Sequence, residues 1–324
     1  GLLLGLATGH RADAAYVPAQ TASYSGTATL LSLPEVQTFA ERAIVQLPTG
    51  ERLRLSVSPG AGSIRAASPG ATLRFSATIK PVEPTVWNRT QHVVGTVAPL
   101  SIHKVDDGAL PWRIAAGLQQ IVDRSTRGMD DRRAALYDGL VTGDDREQGA
   151  AQRAIFRKVG LSHILAVSGQ NVAFVLVIAH LLARFFPWWA RPPLIAAVLM
   201  VFALVTQLEP SVLRATVTAG LAYWAVAVGR AGNGVRLLAL AVSALLLIDP
   251  FLVRALSFQL SVLASAGILL LAPAVARRVP GPGWLRIPMA VTLSAQAMVA
   301  PLLLSSFGEV SAVSLPANLA AGWA

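Results

Sequence analysis

The sequence predicts a polytopic α-helical membrane protein with an N-terminal extracytoplasmic all-β domain of OB-like form and a set of amphipathic surface helices. Three observations predict it. Hydrophobic residues make up 54% of the chain and charged residues 14%, with a mean hydropathy of +0.56. Soluble domains carry roughly 25% charged residues. The first hundred residues show short alternating runs broken by turn residues. From Leu161 onward, apolar stretches follow one another, the first long enough for the about 20 residues that a bilayer crossing takes.

Gly1 to Gly9 (GLLLGLATG) is too short to span and has no charged segment before it. Residues 1–10 therefore read as the end of a truncated transmembrane helix rather than a signal peptide. The chain also stops inside an apolar run, at AGWA, so it reads as a fragment. Cysteine is absent, which excludes a disulfide framework and a Cys-based metal site.

Residues 20–100 form the predicted barrel. Five runs read as strands: YSGTATLL, AERAIVQL, ERLRLSV, ATLRFSATIKPV and HVVGTV. Pro48-Thr49-Gly50, Pro59-Gly60 and Pro69-Gly70 mark turns between them. Leu53, Leu55 and Val57 alternate with Arg52, Arg54 and Ser56, a period of two with one buried face. Five short strands in this length point to a small antiparallel barrel of OB type. Such barrels often hold single-stranded nucleic acid by stacking on aromatics and by contacts to phosphate. Arg52, Arg54, Arg74 and Lys80 are the candidate charges, and Phe39, Phe75 and Trp87 the candidate stacking groups. The plainer reading of the same residues is a solvated face and an aromatic core.

Residues 111–160 read as amphipathic surface helices. Pro111 suits a first helical turn, and Ile114, Leu118, Ile121 and Val122 form one stripe. A second helix covers about Arg132 to Val141. A third, about Glu147 to Val159, turns Arg153, Arg157 and Lys158 away from its apolar side. These helices are too polar to span and are expected at the membrane surface. Their basic residues suit lipid headgroups as well as a substrate.

Residues 161–324 hold the spans: Leu161–Phe186, then about Pro192–Thr206, Val212–Val228, Arg236–Ile248, Leu256–Ala274, Ile287–Ser305, and an incomplete one from Val313. Alternate loops carry Arg184 and Arg191, then Arg230 and Arg236, then Arg277, Arg278 and Arg286. The opposite loops carry Glu209, Asp249 and Glu309, with Arg254 the exception. The positive-inside rule places the Arg loops in the cytoplasm and the barrel outside.

Polar groups interrupt the spans. Ser168, Gly169, Gln170 and Asn171 cluster in the first. Unpaired polar groups in hydrocarbon cost several kcal/mol each, so this cluster should face protein or a wet cavity. Ser211, Arg214 and Thr218 share one helical face, as do Ser257, Ser261 and Ser265, with Gln259 nearby. Interhelical hydrogen bonding is the ordinary role of such hydroxyls. Arg214 is costlier and should snorkel, pair or line a pathway. No acid lies deep in a span, which weighs against a cation-coupled carboxylate site. No GxSG, HExxH or GxxxxGK[ST] motif occurs, so no enzyme, cofactor or metal role is expected. Asp144, Asp145 and Glu147 read as a solvated turn rather than a cation site.

The stretch GLSHILAVSGQNVAFV resembles the signature of the ComEC family of competence proteins. The resemblance continues through LYDGLVTGDDR, EPSVLRATVTAG, IDPFLVRALSFQLSVLASAGILLLAP and APLLLSSFGEVSAVSLPANLAA, in that order, from about Pro111 to the end. Gln170-Asn171 stands where many members have Leu-His, and resembles the actinobacterial branch. The resemblance implies an inner-membrane, multi-pass channel that passes single-stranded DNA into the cytoplasm during natural transformation. It implies lipids, a surface DNA receptor and a separate cytoplasmic motor as partners. Many members carry a further metallo-β-lactamase-like domain, not present in this stretch. On this reading Arg52, Arg54, Arg74, Arg153, Arg157 and Lys158 gather phosphates at the entrance. Ser168, Gln170, Asn171, Arg214, Ser257, Gln259 and Ser261 line the path. Two other classes fit the residues: a transporter of small anions or lipid headgroups, and a membrane-anchored scaffold whose barrel binds a surface polymer.

Overall fold

Alternation of apolar and polar residues is what turns the N-terminal third into strands, and the computed structural model shows where they close. It describes residues 16–37, 40–65, 67–143, 148–149, 154–156, 169–229 and 233–307. Seven strands form one sheet: β1 (Ala22–Leu30), β2 (Glu35–Gln37), β3 (Ala40–Gln46), β4 (Arg52–Val57), β5 (Thr72–Pro81), β6 (Val93–Val97) and β7 (Ile102–Asp106). Five of them, in the order β1-β3-β4-β6-β5, close into a barrel because β5 also pairs with β1. These are the five runs expected from the sequence. The short edge strands β2 and β7, paired with β3 and β5, were not expected.

The barrel is not wholly antiparallel, because β4 and β6 run parallel. A closed ring with an odd number of strands cannot alternate direction all the way round, so one parallel pair must remain. The interior is filled by Leu30, Val45, Leu53, Leu55, Val57, Leu73 and Phe75, all buried. Burial of each of the larger side chains is worth about 1.5–3 kcal/mol. A short helix, α1 (Val86–Thr90), joins β5 to β6, and the hydroxyl of its N-cap Thr85 accepts from Asn88 N at 3.2 Å.

Two helices follow, α2 (Leu110–Ser125) and α3 (Asp131–Thr142). Pro at the first turn of α2 uses a position whose N–H would have no helical partner. The stripe Ile114, Leu118 and Ile121 is exposed. The helix rests on the rest of the molecule by its other side, through Trp112 and the buried Ala115 against Val201, Leu204, Val205 and Leu208.

Six apolar helices complete the described chain. They are α4 (Gly169–Ala183), α5 (Arg191–Val205), α6 (Pro210–Ala227), α7 (Gly234–Ile248), α8 (Leu256–Arg278) and α9 (Gly283–Phe307), with a 3-10 turn over Pro250–Arg254. They coincide with six of the expected spans. The seventh, from Val313, and the first eight residues of the opening span, 161–168, lie outside the described residues, as do residues 1–10. Leu256–Arg278 and Gly283–Ser306 are long and apolar enough to cross a membrane, whereas Gly169–Ala183, Arg191–Val205 and Gly234–Ile248 are shorter apolar helices. Helices α8 and α9 pack closely where a side chain on Gly267 would strike the backbone oxygen of Ser294.

One end of this bundle carries the barrel. Leu33 N donates to Gln207 Oε1 at 3.0 Å in the α5–α6 loop. His92 Nε2 lies 3.0 Å from both carboxylate oxygens of Asp249, beyond α7. Gln119 of α2 donates to Val205 O at 2.7 Å. The same end holds Glu209. Arg184, Arg191, Arg236, Arg277, Arg278 and Arg286 sit at the opposite helix ends.

Candidate functional site in the helical bundle

Three helices meet at Arg214, and two of them bring polar side chains. Its place on α6 follows from the sequence, since Pro210 opens the helix and Arg214 lies one turn further in. The side chain points inward and is only 7% exposed, so it does not snorkel to the helix end. Its Nε donates to Ser261 Oγ of α8 at 2.8 Å. Nη2 lies 3.3 Å from the point that a side-chain carbon on Gly169 of α4 would occupy. Gly169 is therefore the residue whose missing side chain leaves room for the guanidinium. Thr218, on the same face of α6, returns its hydroxyl to Arg214 O at 2.8 Å.

Among the described residues no carboxylate pairs with Arg214. A buried Arg in a span is costly, and one neutral hydroxyl accepts only one of its five donors. A buried cation with a hydroxyl partner and no acid is chemically an anion-accepting centre.

The other expected path residues divide. Ser261 belongs to the centre, and Ser257 is half-buried one turn before it. Gln259 donates to Val253 O at 2.6 Å and so fastens α8 to the 3-10 turn before it. Asn171 donates to Leu140 O at 2.5 Å, satisfying a carbonyl in the last turn of α3 that has no helical partner. Gln170 is exposed. Ser168 lies outside the described residues, as do Arg153, Arg157 and Lys158.

The expected entrance residues are not all together. Arg54 Nη2 donates to Asn88 Oδ1 at 2.6 Å, and its guanidinium stands 4.5 Å from the centre of the Trp87 ring. Arg52 Nη1 reaches Gln91 O at 3.5 Å. Both therefore lie against α1, where Trp87 keeps 49% of its surface exposed. Arg74 is exposed elsewhere, on β5 between Thr27 of β1 and His103 of β7. Phe75 is a core residue, packed on Tyr24 with ring centres 5.7 Å apart, so it offers no stacking surface. Phe39 lies outside the described residues.

Sequence reasoning missed Gly169 as a site residue, and missed His92 and Gln207 as the barrel's attachments. His92, Gln207 and Leu208 are non-glycine residues in the left-handed region, with φ of 56°, 56° and 58°. No local motif marks them. Among the described residues no group of three or more His, Asp or Glu side chains is placed to hold a metal ion.

A family model described as Competence protein matches residues 140–322. No curated protein matches the chain, and no solved structure does.

Proposed function

The chain belongs to the ComEC family of competence proteins, and from that premise we propose that it is the channel that passes single-stranded DNA across the cytoplasmic membrane. Family membership supports a role in DNA uptake. The observation that carries the channel reading is the position of Arg214: buried, turned to the meeting point of α4, α6 and α8, and without an acid among the described residues. Backbone phosphates are the anions that a DNA path must accept one after another. A single guanidinium offers them charge-assisted donors without a deep, fixed trap.

The orientation follows from the ends of the helices. The Arg-bearing end is cytoplasmic by the positive-inside rule, so the barrel and α2 stand outside, where DNA arrives. Six apolar helices then cross the inner membrane several times. Strand order and the parallel β4–β6 pair support the OB reading of the barrel. In that fold the ligand face lies on the second and third barrel strands, with the loops between strands 1 and 2 and between 4 and 5. Here these are β3, β4, the stretch that holds Leu33, and α1, whose Trp87 packs on Arg54 of β4. Both loops also touch the bundle, at Gln207 and Asp249. DNA held on this face is delivered to the outer ends of α5 to α8. Ser168, Gln170, Asn171, Ser257 and Gln259 are the remaining proposed path residues, and Arg52, which reaches Gln91 O beside α1, Arg153, Arg157 and Lys158 are the remaining proposed entrance residues. A motor and a surface receptor are separate proteins.

A small-anion transporter would also use a buried Arg beside a hydroxyl. Salt separates the two: several phosphate contacts give a steep loss of binding between low and moderate salt, and one small anion gives a shallow one. The test of the function is internalisation of labelled DNA in cells lacking the gene. DNA should still bind outside, remain open to added nuclease, and enter only after complementation. Normal internalisation without the gene would refute the channel.

A further inference from the structure

The end of the bundle away from the barrel has its own groove, of about 350 Å³, between the α4–α5 turn and the last turns of α6. Trp188, Trp189, Tyr223 and Trp224 form its walls and Arg191 supplies its charge. The three tryptophans are 77%, 66% and 61% exposed, far more surface than an isolated interior aromatic would leave. Arg191 is held in place: Nε donates to Phe186 O at 3.1 Å, and Nη2 reaches Arg184 O at 3.5 Å. Arg184 stands beside it, its guanidinium 5.0 Å from the Phe185 ring centre. Tyr223 is fixed edge-on against His180 of α4, ring centres 5.9 Å apart.

This groove is separate from the Arg214 centre. Tyr223 follows Arg214 by nine residues, about two and a half turns, and so faces the opposite side of α6. Tyr223 there packs against the α4–α5–α6 core, and the exposed Trp188, Trp189 and Trp224 beside it open the groove to the surface, level with the helix ends that bear Arg. Tryptophan and tyrosine at that level are amphipathic anchors at the headgroup boundary, and Arg pockets beside the cytoplasmic leaflet recognise acidic headgroups. We propose that the groove is a specific site for an anionic phospholipid of the inner leaflet, with the phosphate on Arg191 and the glycerol and upper acyl chain against Trp188 and Trp224. The inference rests on the membrane orientation proposed above. Bound lipid would brace the short α4–α5 turn on the side where DNA emerges.

The test uses the full-length protein in phosphatidylcholine vesicles. Brominated phosphatidylglycerol or brominated phosphatidylcholine is added at equal mole fraction, and tryptophan fluorescence is read. The expected result is half-maximal quenching at a several-fold lower fraction of the anionic lipid. The difference should vanish in the Trp188→Phe/Trp189→Phe/Trp224→Phe variant and shrink in Arg191→Gln. If Arg191→Gln fails to insert, the comparison of the two headgroups on the unmodified protein decides. Equal quenching by both lipids overturns the site while leaving the helices in the bilayer. No quenching by either overturns the membrane reading on which the site rests. Saturable quenching by an oligonucleotide at the Arg-bearing face, without preference between lipids, would make the groove a nucleic-acid contact instead.

Discussion

His92 of the barrel and Asp249 of the bundle meet with Nε2 3.0 Å from both carboxylate oxygens, across 157 residues of sequence. The His92 ring also stands edge-on to Phe251, centres 4.8 Å apart. Asp249 uses one oxygen to cap the 3-10 turn at Phe251 N. The pair therefore ties a β-barrel loop to the end of α7. Its side chains keep 32% and 28% of their surface, so solvent screens part of the attraction.

A double-mutant cycle with His92→Asn and Asp249→Asn should give a coupling of about 0.5–1.5 kcal/mol. Asn is chosen at 92 because it tolerates φ > 0. Thermal unfolding of the detergent-solubilised protein reads it. Coupling indistinguishable from zero would mean that the two residues do not hold the barrel down.

Gly169 leaves the space that Arg214 Nη2 occupies. Gly169→Ala should force a shift of a few tenths of an ångström and lower DNA uptake partially. Gly169→Val should overpack the site, with a cost of about 1–3 kcal/mol, and abolish most uptake. Uptake assays normalised to membrane abundance check this. Normal uptake in Gly169→Val would separate Gly169 from the centre.

The absence of cysteine makes single-cysteine labelling clean. Ser58→Cys, on the exposed β4–β5 loop, should react with an impermeant maleimide in intact cells. Pro280→Cys, between α8 and α9, should react only after permeabilisation. Labelling of both from one side would refute the orientation.

The isolated barrel, residues 16–106, should bind single-stranded DNA no tighter than about micromolar at physiological salt, within the range of non-specific binding. Arg52 and Arg54 are already engaged by α1, which leaves the exposed face of Trp87 as its main stacking surface. Trp87→Ala should weaken what binding there is. A dissociation constant well below micromolar, by fluorescence anisotropy, would show a primary receptor.

The barrel was legible because Leu53, Leu55 and Val57 announce one buried face, and turn residues punctuate the strands. Strands β2 and β7 were not, because three to five residues at a sheet edge carry too few alternations to register. The six apolar helices were legible by length and hydropathy, and Arg214 stood out by its cost. What stayed hidden was convergence. Arg214 and Ser261 are 47 residues apart, and only packing brings them together with Gly169. Asn171 and Gln259 illustrate the converse. Both sit in polar stretches that read as lining, yet both spend a side-chain donor on a backbone carbonyl, a bond with no sequence pattern. Phe75, an aromatic on a strand, could not be assigned to core or surface until the register was known.

The most direct test of the channel is DNA uptake by Arg214→Gln at measured membrane abundance, with surface-bound DNA quantified in parallel. Gln keeps a donor but loses the charge, and Arg214→Lys keeps the charge but loses the planar fork. The account predicts normal abundance and normal surface binding for Arg214→Gln, loss of most internalised DNA, and an intermediate result for Arg214→Lys. Internalisation by Arg214→Gln at the unmodified rate, with the protein at normal abundance, would contradict it.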